Sequence, residues 1–325
     1  MNRNPLQSQY ATSHTLESQP VIMLEQVCKT RRDHMIGPLN WSVPQGYVTA
    51  LVGENGTGKS TLLHMLLRTM YPDSGRIHWF GQSPTSELPV ELRQQIAYIG
   101  EGSSPEEDRM TAYEAAAFRS NWYSRWNAER FAQLLETLNV PSNARLSKIS
   151  KGQRQKFELA AALASSPRLL LLDEPSSGLD PFAWKDMLDV LHTYMDSGEI
   201  TMIITTHRME EVKRLADYVA LMHHGQIVGM REKDELYQQW KEIWIDSSGQ
   251  GTAADIELLR DWHGILEWEQ RPDGAVRILT ADADALVQVA EENGIPLQVR
   301  GLEWEELLLC WVRHHQMNVN REVQS

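Results

Sequence analysis

Residues 53–61 read GENGTGKST and match the spacing G-x-x-x-x-G-K-[ST], which is typical of a loop that binds phosphate groups. In such a loop, backbone N–H groups wrap a phosphate at the N-terminus of the following helix. Lys59 can supply a positive charge to the β- and γ-phosphates of a nucleotide, and the Ser60 hydroxyl can bind Mg²⁺. The predicted nucleotide-binding residues are Gly53, Glu54, Asn55, Gly56, Thr57, Gly58, Lys59, Ser60 and Thr61. The alternative is a glycine-rich turn with a chance lysine.

Two acidic residues lie in a second segment, residues 168–180, which reads RLLLLDEPSSGLD. The four leucines predict a buried strand that ends at Asp173, whose carboxylate can hold Mg²⁺. Glu174 points in a different direction because it is one residue further along, so it is placed to activate a water molecule as a general base. An acidic pair after a strand is often only a helix N-cap. Its pairing with Lys59 in the same chain favours a role in phosphate chemistry.

Two further segments could reach a phosphate. ISKGQRQK, residues 149–156, precedes an alanine-rich helical segment, so its serine, its glycine and the helix N-terminus could form an anion site. An ordinary helix N-cap is the alternative. ITMIITTH, residues 200–207, predicts another buried strand that ends at His207. A lone histidine at a strand end is usually structural, but one that ends the strand after the Asp173 strand can reach a γ-phosphate.

These residues need elements to position them, and the sequence predicts strands that alternate with helices. YVTALV, residues 47–52, is short and apolar, as a buried parallel strand should be. After the loop, leucines at positions 62, 63, 66 and 67 share one face of a helix. A strand, a glycine-rich turn and a helix in this order support the phosphate-binding interpretation. The predicted fold class is therefore α/β.

Composition limits the remaining possibilities. The chain has 325 residues, of which 42% are hydrophobic, so it can bury one large core or two moderate ones. Its two cysteines, Cys28 and Cys310, are far apart, which indicates a reducing compartment rather than a disulfide framework. The formal net charge of −13 disfavours binding along nucleic acid backbones, so no nucleic acid partner is expected. No segment is apolar enough to cross a bilayer, and the polar residues 1–20 are predicted to be a disordered lead.

The C-terminal part of the chain differs in charge from the rest. From Glu232 to Ser325 there are 19 acidic and 8 basic residues, which predicts a second, acidic domain over residues 240–325. The order predicted there is strand, hairpin around residues 272–274, helix, strand and helix. Six of the 11 tryptophans lie in this part of the chain. Packing in a small core is the favoured interpretation, and a partly exposed aromatic face for a partner is the alternative.

Taken together, these segments resemble the ATP-binding cassette, the ATPase subunit of ABC transporters, over residues 21–235. GENGTGKS is similar to the Walker A loop, ISKGQ to the signature motif, and LLLLDEP to Walker B with the catalytic glutamate. His207 is similar to the switch histidine, and MTAYEAAAF lies where a helical subdomain, about residues 102–165, would begin. The D-loop is matched by Ser177, Gly178, Leu179 and Asp180. The acidic tail is similar to the small α+β domain of drug- and peptide-exporting systems.

The sequence departs from the family pattern at three places. Lys151 replaces the first glycine of the signature, and Glu101 stands where a glutamine usually binds the metal. Glutamate supplies an anionic oxygen, so Mg²⁺ binding through Ser60, Asp173 and Glu101 is still expected. The aromatic residue that usually stacks on adenine is missing near residue 31, where Arg31, Arg32 and His34 could stack instead.

The resemblance implies a P-loop NTPase fold with a RecA-like core and a mechanism that needs two chains. ATP with Mg²⁺ would lie between one Walker A loop and the signature of the opposite subunit, and Glu174 and His207 would act in hydrolysis. The signature residues that act in trans would be Ser150, Lys151, Gly152 and Gln153. Because every catalytic residue type is present, a homodimer is favoured over a heterodimer.

A further implication is a separate integral-membrane permease. The subunit would then be cytoplasmic and peripheral on the inner face of the membrane, and an exporter is favoured. The permease would dock in the groove beside Glu101, so bulky substitutions at Ala112 or Ala116 are expected to impair docking. A soluble ABC ATPase, ribosome-associated or otherwise, is the alternative, and a nucleotide sensor without hydrolysis is opposed by the intact catalytic residues. Transported substrate cannot be read from the sequence.

Overall fold

The computed structural model describes residues 19–31, 34–100, 105–245, 259–260, 262, 264–272 and 274–324, with side chains described up to residue 317. Two predictions fall on other residues. Most of the predicted lead, residues 1–18, and the proposed metal ligand Glu101 lie outside the described residues. The chain divides into two compact units, residues 1–230 and 231–325.

The first unit alternates strands and helices, as expected of an α/β fold. Its strands are β1 Ile22–Arg31, β2 His34–Val43, β3 Val48–Val52, β4 Ser74–Trp79, β5 Ile96–Ile99, β6 Leu169–Asp173, β7 Thr201–Thr206, β8 Tyr218–His223 and β9 Gln226–Glu232. Its helices are α1 Lys59–Leu66, α2 Val90–Arg93, α3 Ala112–Ser120, α4 Ala128–Thr137, α5 Lys151–Ala164, α6 Pro181–Asp196 and α7 Met209–Leu215. A short 3₁₀ turn, Leu146–Lys148, precedes α5.

A six-stranded sheet with the order β5-β6-β7-β3-β8-β9 forms the centre of this unit. Strands β5, β6, β7, β3 and β8 pair in parallel, so they all end at one edge. Both faces of the sheet are covered, which explains why β6 is a continuous leucine run. Leu170 and Leu172 belong to a core with α3 to α6, whereas Leu169 and Leu171 belong to a core with α1 and the small antiparallel sheet β2-β1-β4.

The helices α3, α4 and α5 lie within the range predicted for the helical subdomain and share one core. Phe131 of α4 packs edge-on against Phe157 of α5, and both are fully buried. Ala112 and Ala116 of α3 are buried in the same core, because small side chains let α3 approach its neighbours. The expectation that these two alanines face a docking partner is therefore wrong: a bulky side chain there would disrupt the helical core instead.

The second unit contains α8 Lys233–Gln239, β10 Lys241–Ile245, β11 Ile265–Gln270, β12 Val276–Thr280, α9 Ala283–Glu292, β13 Leu297–Gly301 and α10 Trp304–Gln324. The strands form an antiparallel sheet with the order β11-β12-β10-β13. The predicted order of strand, hairpin, helix, strand and helix is confirmed, although Asp273 of the turn lies outside the described residues.

The six tryptophans of the second unit all have restricted solvent access. Trp240, Trp304 and Trp311 are buried, and Trp244, Trp262 and Trp268 are partly buried. Arg271 lies over the Trp244 ring, with its guanidinium carbon 4.3 Å from the ring centre. The core-packing interpretation holds for the three buried tryptophans, and Trp262 and Trp268 also pack against the core of this unit.

Candidate functional site

The loop between β3 and α1 forms one wall of a cavity of about 550 Å³. Residues 54–61 all line this cavity, so the predicted nucleotide-binding residues other than Gly53 lie together around one space. Gly58 adopts φ 111° at the start of α1, and a Cβ there would lie 2.7 Å from Cδ1 of Ile36. Glycine tolerates both this conformation and so close an approach to Ile36. The turn at Gly58 directs the following backbone N–H groups towards the cavity.

Lys59 is almost completely buried at the base of the cavity. Its ammonium group donates to the carbonyl oxygens of Gly53 at 2.7 Å and Glu54 at 3.0 Å, so the loop curls around it. Burial lowers the pKa of Lys59, whereas the nearby carboxylates of Glu174 and Asp173 oppose this shift. A fixed, buried cation beside the open cavity suits a phosphate ligand.

Asp173 ends β6 beside β7, because its register partner is Thr205. The Ser60 hydroxyl lies 3.2 Å from Oδ1 of Asp173, and the Thr205 hydroxyl donates to the same oxygen. The Tyr98 hydroxyl lies 3.4 Å from Oδ2. The Ser60 hydroxyl and Oδ1 of Asp173 fit Mg²⁺, because both oxygens are hard ligands. Their separation also fits, since two adjacent oxygens bound to one Mg²⁺ at about 2.1 Å each lie roughly 3 Å apart.

The side chains of the described residues alone do not complete a metal cage. Among the described residues, no group of three or more His, Cys, Asp or Glu side chains is arranged to hold a metal ion. Mg²⁺ in nucleotide sites is usually held by one or two protein oxygens with phosphate and water supplying the others. The Ser60–Asp173 pair therefore matches a metal that binds together with a nucleotide.

Glu174 is the residue that follows β6, and it has a positive φ of 47°. A non-glycine residue in this left-handed region is held there at a cost of about 1–3 kcal/mol and persists only where neighbours fix it. Here its N–H donates to the Thr205 carbonyl at 3.1 Å and to the Thr205 hydroxyl at 3.2 Å. The result is that the Glu174 side chain lines the phosphate-loop cavity.

His207 follows β7 and lies beside Glu174. Its Nδ1 is 2.9 Å from Oε2 of Glu174. The two residues that the sequence placed on different strands are thus in direct contact, because neighbouring parallel strands end at the same edge. The contact fixes the orientation of both side chains and leaves Nε2 of the imidazole for another partner.

The signature residues lie at a second cavity of about 410 Å³. Ser150 caps α5: its hydroxyl accepts from the N–H of Gln153, and the Gln153 side chain accepts from the N–H of Ser150. Ser150 and Lys151 line this cavity, as do Glu174 and Ser177. Gly152 packs against α6, where a Cβ would lie 3.1 Å from Cβ of Ala183. Within one chain, Ser150 and Lys151 therefore share a cavity with Glu174, and none of the four signature residues lines the phosphate-loop cavity.

The D-loop joins β6 to α6 and passes close to the signature. Asp180 caps α6 by accepting from the N–H groups of Phe182 and Ala183. Gly178 has φ 68°, and a Cβ there would lie 2.6 Å from Nζ of Lys151. The positive φ favours glycine at this position, and the Lys151 side chain occupies the space beside it.

The far end of the phosphate-loop cavity is lined by Arg31, His34, Met35 and His224. The Arg31 guanidinium lies 3.4 Å from the Thr61 hydroxyl. Arg31 and His34 were predicted to replace the missing aromatic residue, and Arg32 lies outside the described residues. His224, in the turn between β8 and β9, was missed. A His-His-Gly turn after an apolar strand was the only available signal, and it does not specify which loop it faces.

Sequence reasoning also missed the residues that hold the predicted ones. Thr205, Tyr98, Ser176 and Glu211 contact the site or its loops, yet threonine in a strand and glutamate in a helix carry no distinctive pattern. No helix among the described residues has the length and apolarity needed to cross a membrane.

Comparisons with known proteins identify the family of the chain. The family model for ABC transporter matches residues 36–177. The daunorubicin/doxorubicin resistance ATP-binding protein of Streptomyces peucetius is 35% identical over 204 residues, which cover 61% of this chain and 61% of that relative. The Nod factor export ATP-binding protein I of Rhizobium etli is 32% identical, over 67% of this chain and 70% of that relative.

Other matches have a different direction of transport in their names or show the fold alone. The molybdenum import ATP-binding protein of Brucella abortus is 31% identical, over 66% of this chain and 59% of that relative. A solved ATP-binding subunit of an ABC transporter has a TM-score of 0.61 at 24% identity and covers 74% of this chain and 98% of its own. That structure confirms the predicted cassette fold. The chain belongs to the ABC transporter family, as an ATP-binding subunit that hydrolyses ATP.

Proposed function

We propose that this ATPase powers an exporter through ATP-driven dimerisation of two cassettes. The observation that carries the proposal is the convergence of Lys59, Ser60 and Glu174 around one cavity, with Asp173 held at 3.2 Å from the Ser60 hydroxyl. Two segments that lie more than 100 residues apart in the sequence supply the charge, the metal ligand and the base that phosphate hydrolysis needs.

The roles of the residues follow from their positions. Lys59 and the N–H groups of residues 54–60 bind the phosphates of ATP, while Ser60 and Asp173 hold Mg²⁺. When bound there, Mg²⁺ would neutralise part of the negative charge of the phosphates. Glu174 accepts a proton from the water that attacks the γ-phosphorus, and the bond to the bridging oxygen breaks to give ADP and phosphate. His207 orients Glu174 through the 2.9 Å contact and faces the γ-phosphate with its other nitrogen.

A second chain completes the site in this proposal. The signature residues Ser150 and Lys151 line a different cavity from the phosphate loop of their own chain, so they are available to a nucleotide held by a partner. The capped N-terminus of α5 and the Lys151 side chain favour an anion at that position. A homodimer is favoured because the chain carries every residue type that both halves of the site require. A heterodimer is the alternative.

An exposed aromatic patch supports a membrane-spanning partner. Phe118 and Trp122, at the end of α3 and just after it, are 45% and 65% exposed, and Val90 on α2 is 60% exposed. Gln94, just after α2, donates to the Trp122 carbonyl at 2.8 Å, which brings these two parts of the unit together. Large apolar side chains exposed in one area are typical of a binding surface. Arg119, next to Phe118, pairs with Glu107 at 2.6 Å, so the patch lies near the start of the helical subdomain, where the resemblance predicts docking of the permease.

The direction of transport rests on relatives. Export appears in the name of the Rhizobium etli relative and import in that of the Brucella abortus relative. Export is favoured because the acidic C-terminal unit resembles the small α+β domain of drug- and peptide-exporting systems. A soluble ABC ATPase is the second candidate, and the exposed patch would then bind a soluble partner.

Substitution of the patch tests the proposal. We expect Phe118→Ser combined with Trp122→Ser to abolish co-purification with the membrane protein encoded beside this chain, while ATPase activity of the isolated subunit stays unchanged. Tyr71→Ser is the matched control, because Tyr71 is 46% exposed and belongs to a different part of the same unit. If the wild-type protein never associates with membranes, even when co-expressed with its neighbours, the transporter proposal fails and the soluble factor replaces it.

A further inference from the structure

Glu211 carries a buried carboxylate close to the proposed catalytic pair, Glu174 and His207, but is not part of that pair. Glu211 is in the first turn of α7 and is only 2% exposed. It follows His207 by four residues, so the segment that carries the histidine also carries this glutamate. Carboxylates are rarely buried so completely unless they are paired or hydrogen-bonded. The hydrolysis described above assigns no role to it.

One partner of Glu211, Ser176, comes from the loop that carries Glu174, and two others, Thr206 and Arg208, come from the β7–α7 segment itself. The Ser176 hydroxyl donates to Oε1 of Glu211, and Ser176 is itself fully buried. Arg208 donates to the same serine at 2.6 Å, and its guanidinium lies 3.9 Å from Oε1 of Glu211. Burial raises the pKa of Glu211, and the hydrogen bond from Ser176 opposes this shift. The first turn of a helix also favours a negative charge.

These contacts fix the loop on the far side of Glu174. Glu174 has a positive φ, and its N–H is held by Thr205 on β7. Two residues later, Ser176 is held by Glu211 and Arg208 on α7. The strained residue is therefore anchored at both ends to the same β7–α7 segment, which also carries His207. Such anchoring is what a residue in this conformation requires in order to persist.

We propose that Glu211 is a positioning residue for ATP hydrolysis, which acts through Ser176 to hold the Glu174 loop against His207. The proposal rests on the proposed function, because Glu174 and His207 have their catalytic roles only there. Glu211 contacts neither the phosphate loop nor its cavity, so it acts on the position of the base and leaves ATP binding unaffected. A displacement of about 1 Å in a catalytic group can lower the rate by about 100-fold.

Four variants test the proposal by steady-state kinetics and by binding of a fluorescent ATP analogue. We expect Glu211→Ala and Ser176→Ala each to lower kcat by about 10- to 100-fold, with KM and the dissociation constant changed by less than about 3-fold. The double variant should be no slower than the slower single variant, because both remove the same contact. Glu211→Gln retains an oxygen that accepts from Ser176 and should restore kcat to within about 3-fold of wild type.

Glu210→Gln is the matched control. Glu210 precedes Glu211, is exposed, and pairs only with Arg214 in the described contacts. Its kcat should equal that of wild type. A purely structural role for Glu211 would lower the midpoint of thermal unfolding in step with activity, whereas a positioning role lowers kcat at temperatures where the variant is fully folded. Ser176→Ala removes a single oxygen, so it tests the proposal even if Glu211→Ala does not fold.

The outcomes separate this proposal from the function on which it rests. If Glu174→Gln hydrolyses ATP at the normal rate, the assignment of the base is wrong. If Glu174→Gln is inactive while Ser176→Ala and Glu211→Ala retain normal kcat, only the positioning role is overturned. A Glu211→Gln variant as slow as Glu211→Ala would also overturn it, because the hydrogen bond to Ser176 would then not be the decisive contact.

Discussion

The central sheet of the first unit is mainly parallel, whereas the sheet of the second unit is antiparallel, and among the described residues the candidate site lies in the first unit. In the first unit, parallel strands β6, β7 and β3 all end at one edge, so Asp173, His207 and the phosphate loop meet there. In the second unit, neighbouring strands run in opposite directions, so their ends alternate between two edges. Loops from distant parts of the sequence converge in the first arrangement and separate in the second.

The charged residues at the phosphate loop differ in their surroundings from the charged residues on the sheet of the second unit. In the first unit, Lys59 and Asp173 are buried next to an open cavity. In the second unit, Arg277 on β12 pairs with Glu242 on β10 and lies near Glu267 on β11. These partners are other protein side chains on one face of the sheet, which neutralise one another without a ligand. The first unit also has ion pairs of this kind, such as Arg119 with Glu107 and Glu158. What distinguishes the first unit is the buried Lys59 that lines a cavity.

The largest expected effect is on hydrolysis in the first unit. Glu174→Gln removes the proposed proton acceptor but preserves the size of the side chain, so kcat should fall by about 10²–10⁴-fold while ATP still binds. Release of phosphate and binding of a fluorescent ATP analogue measure the two properties separately. The exposed Glu210→Gln variant should keep the wild-type kcat. Normal hydrolysis by Glu174→Gln would mean that Glu174 is not the proton acceptor and that the first unit has not been shown to carry the catalytic base.

A core substitution in the second unit should have the opposite signature. Ile278 is fully buried in the core of the antiparallel sheet, so Ile278→Ala should lower the stability of this unit by about 2–5 kcal/mol. ATP affinity should stay unchanged, because every described residue that lines the phosphate-loop cavity belongs to the first unit. Denaturant unfolding and nucleotide titration measure the two effects.

Val299→Ala serves as the control for that substitution. Val299 lies on the edge strand β13 and is 45% exposed, so its truncation should change stability by less than about 0.5 kcal/mol. If Ile278→Ala weakens ATP binding as strongly as it weakens folding, the two units are coupled energetically, and the division between them is wrong.

The smallest expected effect is a difference in reactivity between two thiols, Cys28 in the first unit and Cys310 in the second. Burial raises the pKa of Cys310 to about 11, so little thiolate is present at pH 8, whereas Cys28 is only partly buried. Alkylation at pH 8 should therefore label Cys310 at least about tenfold more slowly than Cys28. The rate at Cys310 should rise as the pH approaches its pKa or as the second unit unfolds. Peptide mass analysis after timed labelling reports each thiol.

The sequence was sufficient for features with a strict local pattern. The phosphate loop needs glycine at Gly58 and a lysine at Lys59, and a run of four leucines needs two covered faces of a parallel sheet. Because the strands are parallel, the positions of Asp173 and His207 at one edge followed from the strand order alone. The antiparallel second unit was predictable for a similar reason, since turns and short alternating segments have local signals.

The residues that sequence reasoning missed depend on tertiary contacts. Thr205 contacts Asp173 only because β6 and β7 pair in one register, and Glu211 is buried only because α7 packs behind the Glu174 loop. The alanines of α3 were misjudged because the composition of the segment does not show which face of the helix is covered. Ala112 and Ala116 face the helical core, whereas Phe118 is exposed.

The central claim is that two chains share each ATP site, and mixing two inactive variants tests it most directly. Lys59→Ala impairs phosphate binding in its own chain, and Ser150→Arg blocks the signature that serves the partner. In an equal mixture, about half of the dimers contain both variants, and each of these has one intact site, so about a quarter of wild-type ATPase activity should return. Lys59→Ala mixed with the Lys59→Ala, Ser150→Arg double variant should remain inactive, because no intact site can form. Recovery in the first mixture alone is the predicted result; no recovery at any ratio would contradict the shared site.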